Sequence, residues 1–124
     1  MKYLCLVYLD EKRLDELPDE ECVEYDTAIR KSGHCITSEA LQSVQTATTV
    51  RVRNGKVGVT DGPFAETKEQ LAGFYMIEAR DLDEAIQLAS KIPPARLGSI
   101  EVRPIRPIRE TVAQAKSQQR NPIS

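Results

Sequence analysis

The chain has no tryptophan among its 124 residues, a single histidine, and only 5% aromatics. Three cysteines, Cys5, Cys22 and Cys35, form no Cys-x-x-Cys pair. One histidine with scattered thiols makes no zinc-binding pattern, so no metal is expected. An odd number of cysteines without a disulfide framework points to reduced thiols in a cytoplasmic protein. A Gly-rich phosphate loop and a Ser-centred nucleophile elbow are both missing, and no cofactor is implied. Long hydrophobic runs are missing too. Tyr3 to Leu9 is too short to cross a bilayer. It has no small-residue cleavage site, and Asp10, Glu11, Lys12 and Arg13 follow at once, so it reads as a strand and not as a signal peptide. A net charge of −2 gives no reason to expect nucleic acid or an acidic membrane as partner.

What is present fits one soluble domain with a single core. Met1 to Leu9 reads as a first strand, covered on both faces or lying between helix and partner sheet. A charged connection leads to Pro18-Asp19-Glu20-Glu21, and the segment ends Arg30-Lys31-Ser32-Gly33. Acids in the first turn, bases in the last, an early proline and a terminal glycine mark a helix. Its apolar face carries Cys22, Tyr25 and Ile29, with Val23 and Ala28 beside them. His34 to Val44 suits an irregular strand. Thr49 to Arg53 and Lys56 to Thr60 alternate around Asn54-Gly55, a strong hairpin signal. Val50 and Val52 share one face, Arg51 and Arg53 the other. Gly73 to Ala79 is a further strand. Asp81 caps a second helix, with Leu82, Ala85, Ile86, Ala89 and Ile92 at helical spacing until Pro93-Pro94. Ser99 to Arg103 is the last strand.

The order β-α-β-β-β-α-β gives an α+β, ferredoxin-like plan, an antiparallel sheet with two helices on one face. Two helices can cover only one face. The other would expose part of Tyr3, Cys5, Val7, Tyr75 and Ile77, or their alternates, and a bare apolar face is an association surface. A homodimer joined through the sheet face is therefore expected. The domain is expected over residues 1–105. The tail, 106–124, is polar: either a weak helix over Thr111 to Gln119, or a flexible end or one contacting a neighbouring subunit.

Between hairpin and inner strand lies Asp61-Gly62-Pro63-Phe64-Ala65-Glu66-Thr67-Lys68-Glu69, followed by Leu71, Gly73 and Tyr75. This stretch resembles the signature of the DGPF branch of the YCII-related family. Lys2-Tyr3-Leu4, Glu39-Ala40-Leu41, Thr48 to Arg51, Asp81 to Ala85, and Arg96 to Pro104 add to the resemblance. It implies a ferredoxin-like fold and a dimeric α/β barrel. Members are mostly small uncharacterised bacterial proteins, some resembling genes beside extracytoplasmic-function sigma factors. A distant relative dehydrochlorinates a hydroxyquinol-type aromatic, with a His-Asp pair suspected at its centre. The one histidine here, His34, has no clear match to theirs.

Asp61 is the catalytic candidate, as a general base in a pocket between sheet and loop. The competing reading makes it a turn residue that lets Gly62 take positive φ. Tyr8, Phe64, Lys68 and Arg96 are the substrate-binding candidates. Phe64 would wall a pocket or plug a seam, Lys68 would sit at its mouth, and Tyr8 would donate into a cleft or anchor the sheet interface. Arg96 would bind a carboxylate, or pair with Glu101 or an acid of the second helix. His34 and Cys35 point to opposite faces if extended, which disfavours a nucleophile–base pair. The functional expectation is binding of a small organic molecule with cofactor-free acid–base chemistry. The alternative is a non-catalytic sensor or interaction module, linked to sigma-factor regulation.

Overall fold

A computed structural model describes residues 1–120. Strands β1 (Lys2–Leu9), β2 (Cys35–Ala40), β5 (Gln70–Glu78) and β6 (Ser99–Pro104) form one antiparallel sheet in the order β2-β5-β1-β6. Strands β3 (Thr48–Arg53) and β4 (Lys56–Asp61) form a separate hairpin. Helices α1 (Asp19–Lys31) and α2 (Leu82–Ser90) follow β1 and β5, and α3 (Ile108–Arg120) follows β6. The hairpin is thus an insertion in a ferredoxin-like α+β fold.

The strand pleat divides the apolar residues between two faces. Tyr3, Cys5 and Val7 of β1 join Ile77 of β5, Ile29 of α1, and Ala85 and Ala89 of α2 in the core. Their alternates Leu4, Leu6 and Tyr8 stand opposite Met76, Phe74 and Leu71 on the other face. These stay half-buried, apart from the exposed Leu71, and among the described residues the helices pack on the opposite face, with Tyr3, Cys5, Val7 and Ile77. The bare face consists of the alternates, since Tyr3, Cys5, Val7 and Ile77 turn toward the helices.

Local signals explain the element ends. Asp81 accepts from the Glu84 N–H at 2.9 Å, and the Glu84 carboxylate accepts from the Arg80 N–H at 2.9 Å, which caps α2. Asn54 and Gly55 both have positive φ, 53° and 74°, as a tight hairpin turn with right-handed strand twist requires.

Several expectations shift. Helix α2 stops at Ser90, and a 3₁₀ turn over Pro93–Arg96 follows. Leu82 and Ile86 are exposed, while Ala85, Ala89 and Ile92 are buried. Val23 and Ala28 do not join the core face of α1: Ala28 is exposed and Val23 is 62% exposed. The charged connection after β1 folds as a 3₁₀ segment, Glu11–Glu16. The tail contains a full helix, α3, and its last four residues lie outside the described residues.

Gly98 leads into β6, where the chain crosses the end of β1. A Cβ there would overlap the Tyr8 carbonyl oxygen and lie 3.1 Å from the Leu9 Cα. Backbone cannot move aside as a flexible side chain can. Gly98→Ala is therefore expected to cost about 3 kcal/mol, read as a lowered urea midpoint with the slope unchanged. An unchanged midpoint would contradict this packing.

Candidate functional site

On the helix side of the sheet, at the Leu9 end of β1, lies a cleft of about 570 Å³. Its floor is made by Val7 and Leu9 of β1, Gly73 and Tyr75 of β5, and Ser38 and Ala40 of β2. α1 supplies the roof with Asp19, Cys22, Val23, Asp26 and Arg30. These positions follow one another at helical spacing, so one stripe of α1 faces the sheet here. Leu14 and Leu17 close the near end, and Leu41 and Ser43 the far end. Small residues keep the floor open. At Gly73 a Cβ would come within 2.8 Å of the Glu39 carbonyl oxygen, so the close approach of β2 to β5 requires glycine.

The polar groups of the cleft are tied together. Arg30 Nε donates to Asp26 Oδ2 at 2.8 Å. Arg30 Nη2 donates to the Ser38 hydroxyl at 2.6 Å and to the Ser38 carbonyl at 3.1 Å. The same hydroxyl donates to Asp26 Oδ1 in a short bond. Ser38 is the buried polar side chain among the described residues, at 6% exposure, and this relay satisfies it. A carboxylate, a hydroxyl and a guanidinium are thereby held on two elements, the helix and the edge strand.

Tyr75 stands opposite Ser38 in the β2–β5 register. Its ring meets Tyr25 edge to face, with centroids 5.6 Å apart, and the Tyr25 hydroxyl donates to the Leu88 carbonyl at 2.7 Å. Burial, and then the charge of Asp26, push the Tyr75 phenol up to about 12. It stays protonated at neutral pH and can donate a hydrogen bond. The Cys22 thiol is also pushed up, first by burial and then by Asp19 and Glu21, so it is a protonated, weakly nucleophilic group. Glu11 is committed to structure: it accepts from the Val44 N–H at 2.6 Å and the Ser43 hydroxyl at 3.0 Å, fixing the far wall.

A YCII-related domain model matches residues 1–109 of the chain. The chain belongs to the YCII-related family. Among similar proteins is an uncharacterised protein of Rhizobium meliloti (strain 1021), 38% identical over 114 residues that span 85% of this chain and 92% of that one. The signature stretch of this YCII-related chain divides in two. Gly73 and Tyr75 line the cleft. Asp61, Phe64 and Lys68 lie outside it. Asp61 ends β4 opposite Thr48 and is exposed, and Phe64 is 79% exposed. Lys68 is exposed and makes no ion pair among the described residues. Gly62 does take positive φ, 95°, and its N–H donates to the Ala47 carbonyl at 2.7 Å.

Tyr8 lies on the bare sheet face between Leu71 and Ser99. Arg96 grips Glu21 of the first helix with both terminal nitrogens, one contact at 2.8 Å. The structure does not bring the five candidates together. Asp26, Arg30 and Ser38 escaped the sequence reading. Their one signal was a charged pair at i, i+4 on a helix face otherwise set out for burial; Ser38 carried no signal at all. His34 Nδ1–H donates to the Glu78 carbonyl at 2.9 Å, away from the cleft.

The hydrogen bonds from Arg96 hold the Glu21 carboxyl below its ordinary pKa. A lowered native pKa stabilises the fold above the unfolded value and loses that contribution as pH falls through the native one. Both partners are substantially exposed, so the effect is small. Arg96→Gln should therefore lower the melting temperature at about pH 7 and leave it nearly unchanged at about pH 3. A difference that persists in acid would show that the guanidinium acts by packing alone.

Proposed function

We propose that this YCII-related protein, read as a member of the DGPF branch, binds a small and mainly apolar organic molecule in the α1–sheet cleft. The observation that carries the reading is a cavity of about 570 Å³ with apolar walls and one converging polar cluster, Asp26, Arg30 and Ser38, beside the Tyr75 phenol. Ligand sites commonly combine apolar walls with a few placed polar groups. The apolar body would lie against Val7, Leu9 and Leu17. A hydroxyl or carbonyl head would meet Tyr75 and the Ser38 relay.

One observation favours binding without turnover, the role of a sensor that could serve sigma-factor regulation. Both Asp26 oxygens already accept hydrogen bonds, so this carboxylate is a fixed acceptor more than a ready base. The acid–base version rests instead on Asp61, with Tyr8, Lys68 or Arg96 polarising the substrate and Phe64 walling the pocket. Because Asp61 and Phe64 are exposed, that version requires a second chain to complete a cavity around them. Such a chain would be supplied by a homodimer. We propose that two copies pair through the bare sheet face, burying Leu4, Leu6, Tyr8, Phe74 and Met76.

Amide chemical shifts in a screen of small phenols and aromatic ketones test the binding reading. Shifts should concentrate at Ser38, Gly73 and Tyr75, and Ser38→Ala with Tyr75→Phe should weaken the best binder about tenfold. Hits whose shifts lie wholly outside the cleft would sink it. Any turnover found should be abolished by Asp61→Asn if the acid–base version holds. Sedimentation tests the pairing: the wild type should be a dimer at micromolar concentration and Leu6→Glu should associate more weakly. A wild-type monomer rejects the sheet-face dimer.

A further inference from the structure

The chain carries two exposed surfaces of opposite charge, and each keeps charges that form no ion pair among the described residues. The first is the outer edge of the cleft. Residues 10–26 contain nine acids against two bases. Of these, Asp15, Asp19, Glu20 and Glu24 form no ion pair among the described residues. They surround two apolar side chains left in solvent, Leu14 and Val23, both of which also line the cleft.

The second surface is α3. Every residue from Pro107 to Gln118 is exposed, so the helix does not rest on its own domain. It is nevertheless amphipathic. Ile108, Val112 and Ala115 fall on one stripe at i, i+4 and i+7. Arg109 and Lys116 flank that stripe, and Glu110 falls on the opposite side. From Arg103 to Gln118 there are four bases against this one acid. Exposed apolar residues on a basic helix therefore face the same need as exposed apolar residues in an acidic groove. The family model stops at residue 109, so nearly all of α3 lies beyond the shared domain.

Connectivity decides whose groove α3 can fill. The cleft lies at the Leu9 end of β1. α3 leaves from the other end of that strand, where Pro104 of β6 pairs with Tyr3 and the Ile105 N–H donates to the Lys2 carbonyl at 2.9 Å. Six residues along β1 separate the two ends by about 20 Å. The connection Ile105 to Pro107 spans about 10 Å at full stretch. The first turn of α3, with Ile108 and Arg109, therefore cannot reach its own cleft.

We propose that α3 docks across the acidic mouth of the cleft in a second copy of this chain. Ile108 and Val112 cover Leu14 and Val23, and Arg109 and Lys116 meet the free carboxylates of α1. A twofold axis makes the exchange reciprocal, so each copy closes the other's cleft. Charge complementarity sets the pairing and makes it salt-sensitive. The inference stands on these two surfaces and does not depend on what the cleft binds.

The test mixes full-length Val23→Cys with full-length Val112→Cys under mild oxidation and maps disulfides by mass spectrometry. The expected product is a disulfide between the two introduced thiols, joining one protein to the other. Arg109→Glu with Lys116→Glu, placed in the Val112→Cys chain, should cut its yield about tenfold, and Glu20→Arg with Glu24→Arg in the partner should restore it. Circular dichroism confirms that each variant is folded. No link above the level of the unsubstituted pair overturns the proposal. So does a doubly substituted chain that links within itself while the mixture does not, which would make α3 a lid on its own molecule. A linked yield indifferent to both charge reversals overturns the electrostatic pairing.

Discussion

β1 is paired along both edges, with β5 and β6, and its inward side chains Tyr3, Cys5, Val7 and Leu9 are all buried. Two helices pack over this strand and its neighbours on one face only, because a βαβ-type crossover with these short helices leaves nothing to cover the other. That one-sidedness governs the rest of the molecule. Leu4, Leu6, Tyr8, Phe74 and Met76 are stranded on an open face. One stripe of α1, with Tyr25 and Ile29, closes tightly on the core. On the neighbouring stripe the facing residues are Asp19, Cys22, Asp26 and Arg30 above Gly73 and Ala40. Small residues below and polar ones above cannot make a dry core, and the gap between them is the cleft.

The Asp26–Arg30–Ser38 relay shows how a polar cluster survives against the core. Burying a hydroxyl costs free energy unless it is bonded, and Ser38 is both donor and acceptor within the relay. Asp26 and Arg30 keep part of their surface in water, which limits their desolvation. The arrangement holds two elements in register and presents fixed polar atoms to whatever enters. The same division of charge recurs on a larger scale, with acids gathered at the front of α1 and bases in the hairpin and α3.

Much of the scaffold was legible in the chain. The Asn54-Gly55 turn needs positive φ at both positions, and the Asp81/Glu84 cap satisfies helix-end donors; both are local chemistry and both appear where expected. Element order, and with it the ferredoxin-like plan, followed from such signals. The site was much less legible. Asp61, Phe64 and Lys68 stand out in the sequence by composition, and they lie outside the cleft. The same stretch did reach it through Gly73 and Tyr75. Arg96 met Glu21 of the first helix, seventy-five residues away in sequence.

By itself, then, the sequence determined the elements, their order, the family and the fact that one sheet face would stay apolar and uncovered. These depend on periodicity, turn chemistry and cap residues within a few positions of one another. Only the tertiary structure decided which alternates face the helices, and that Ser38 of an edge strand meets Asp26 and Arg30 of a helix. It alone placed the start of α3 and the cleft at opposite ends of β1. Those outcomes depend on strand register and helix stand-off, and a one-residue shift in register would exchange every inward side chain for an outward one.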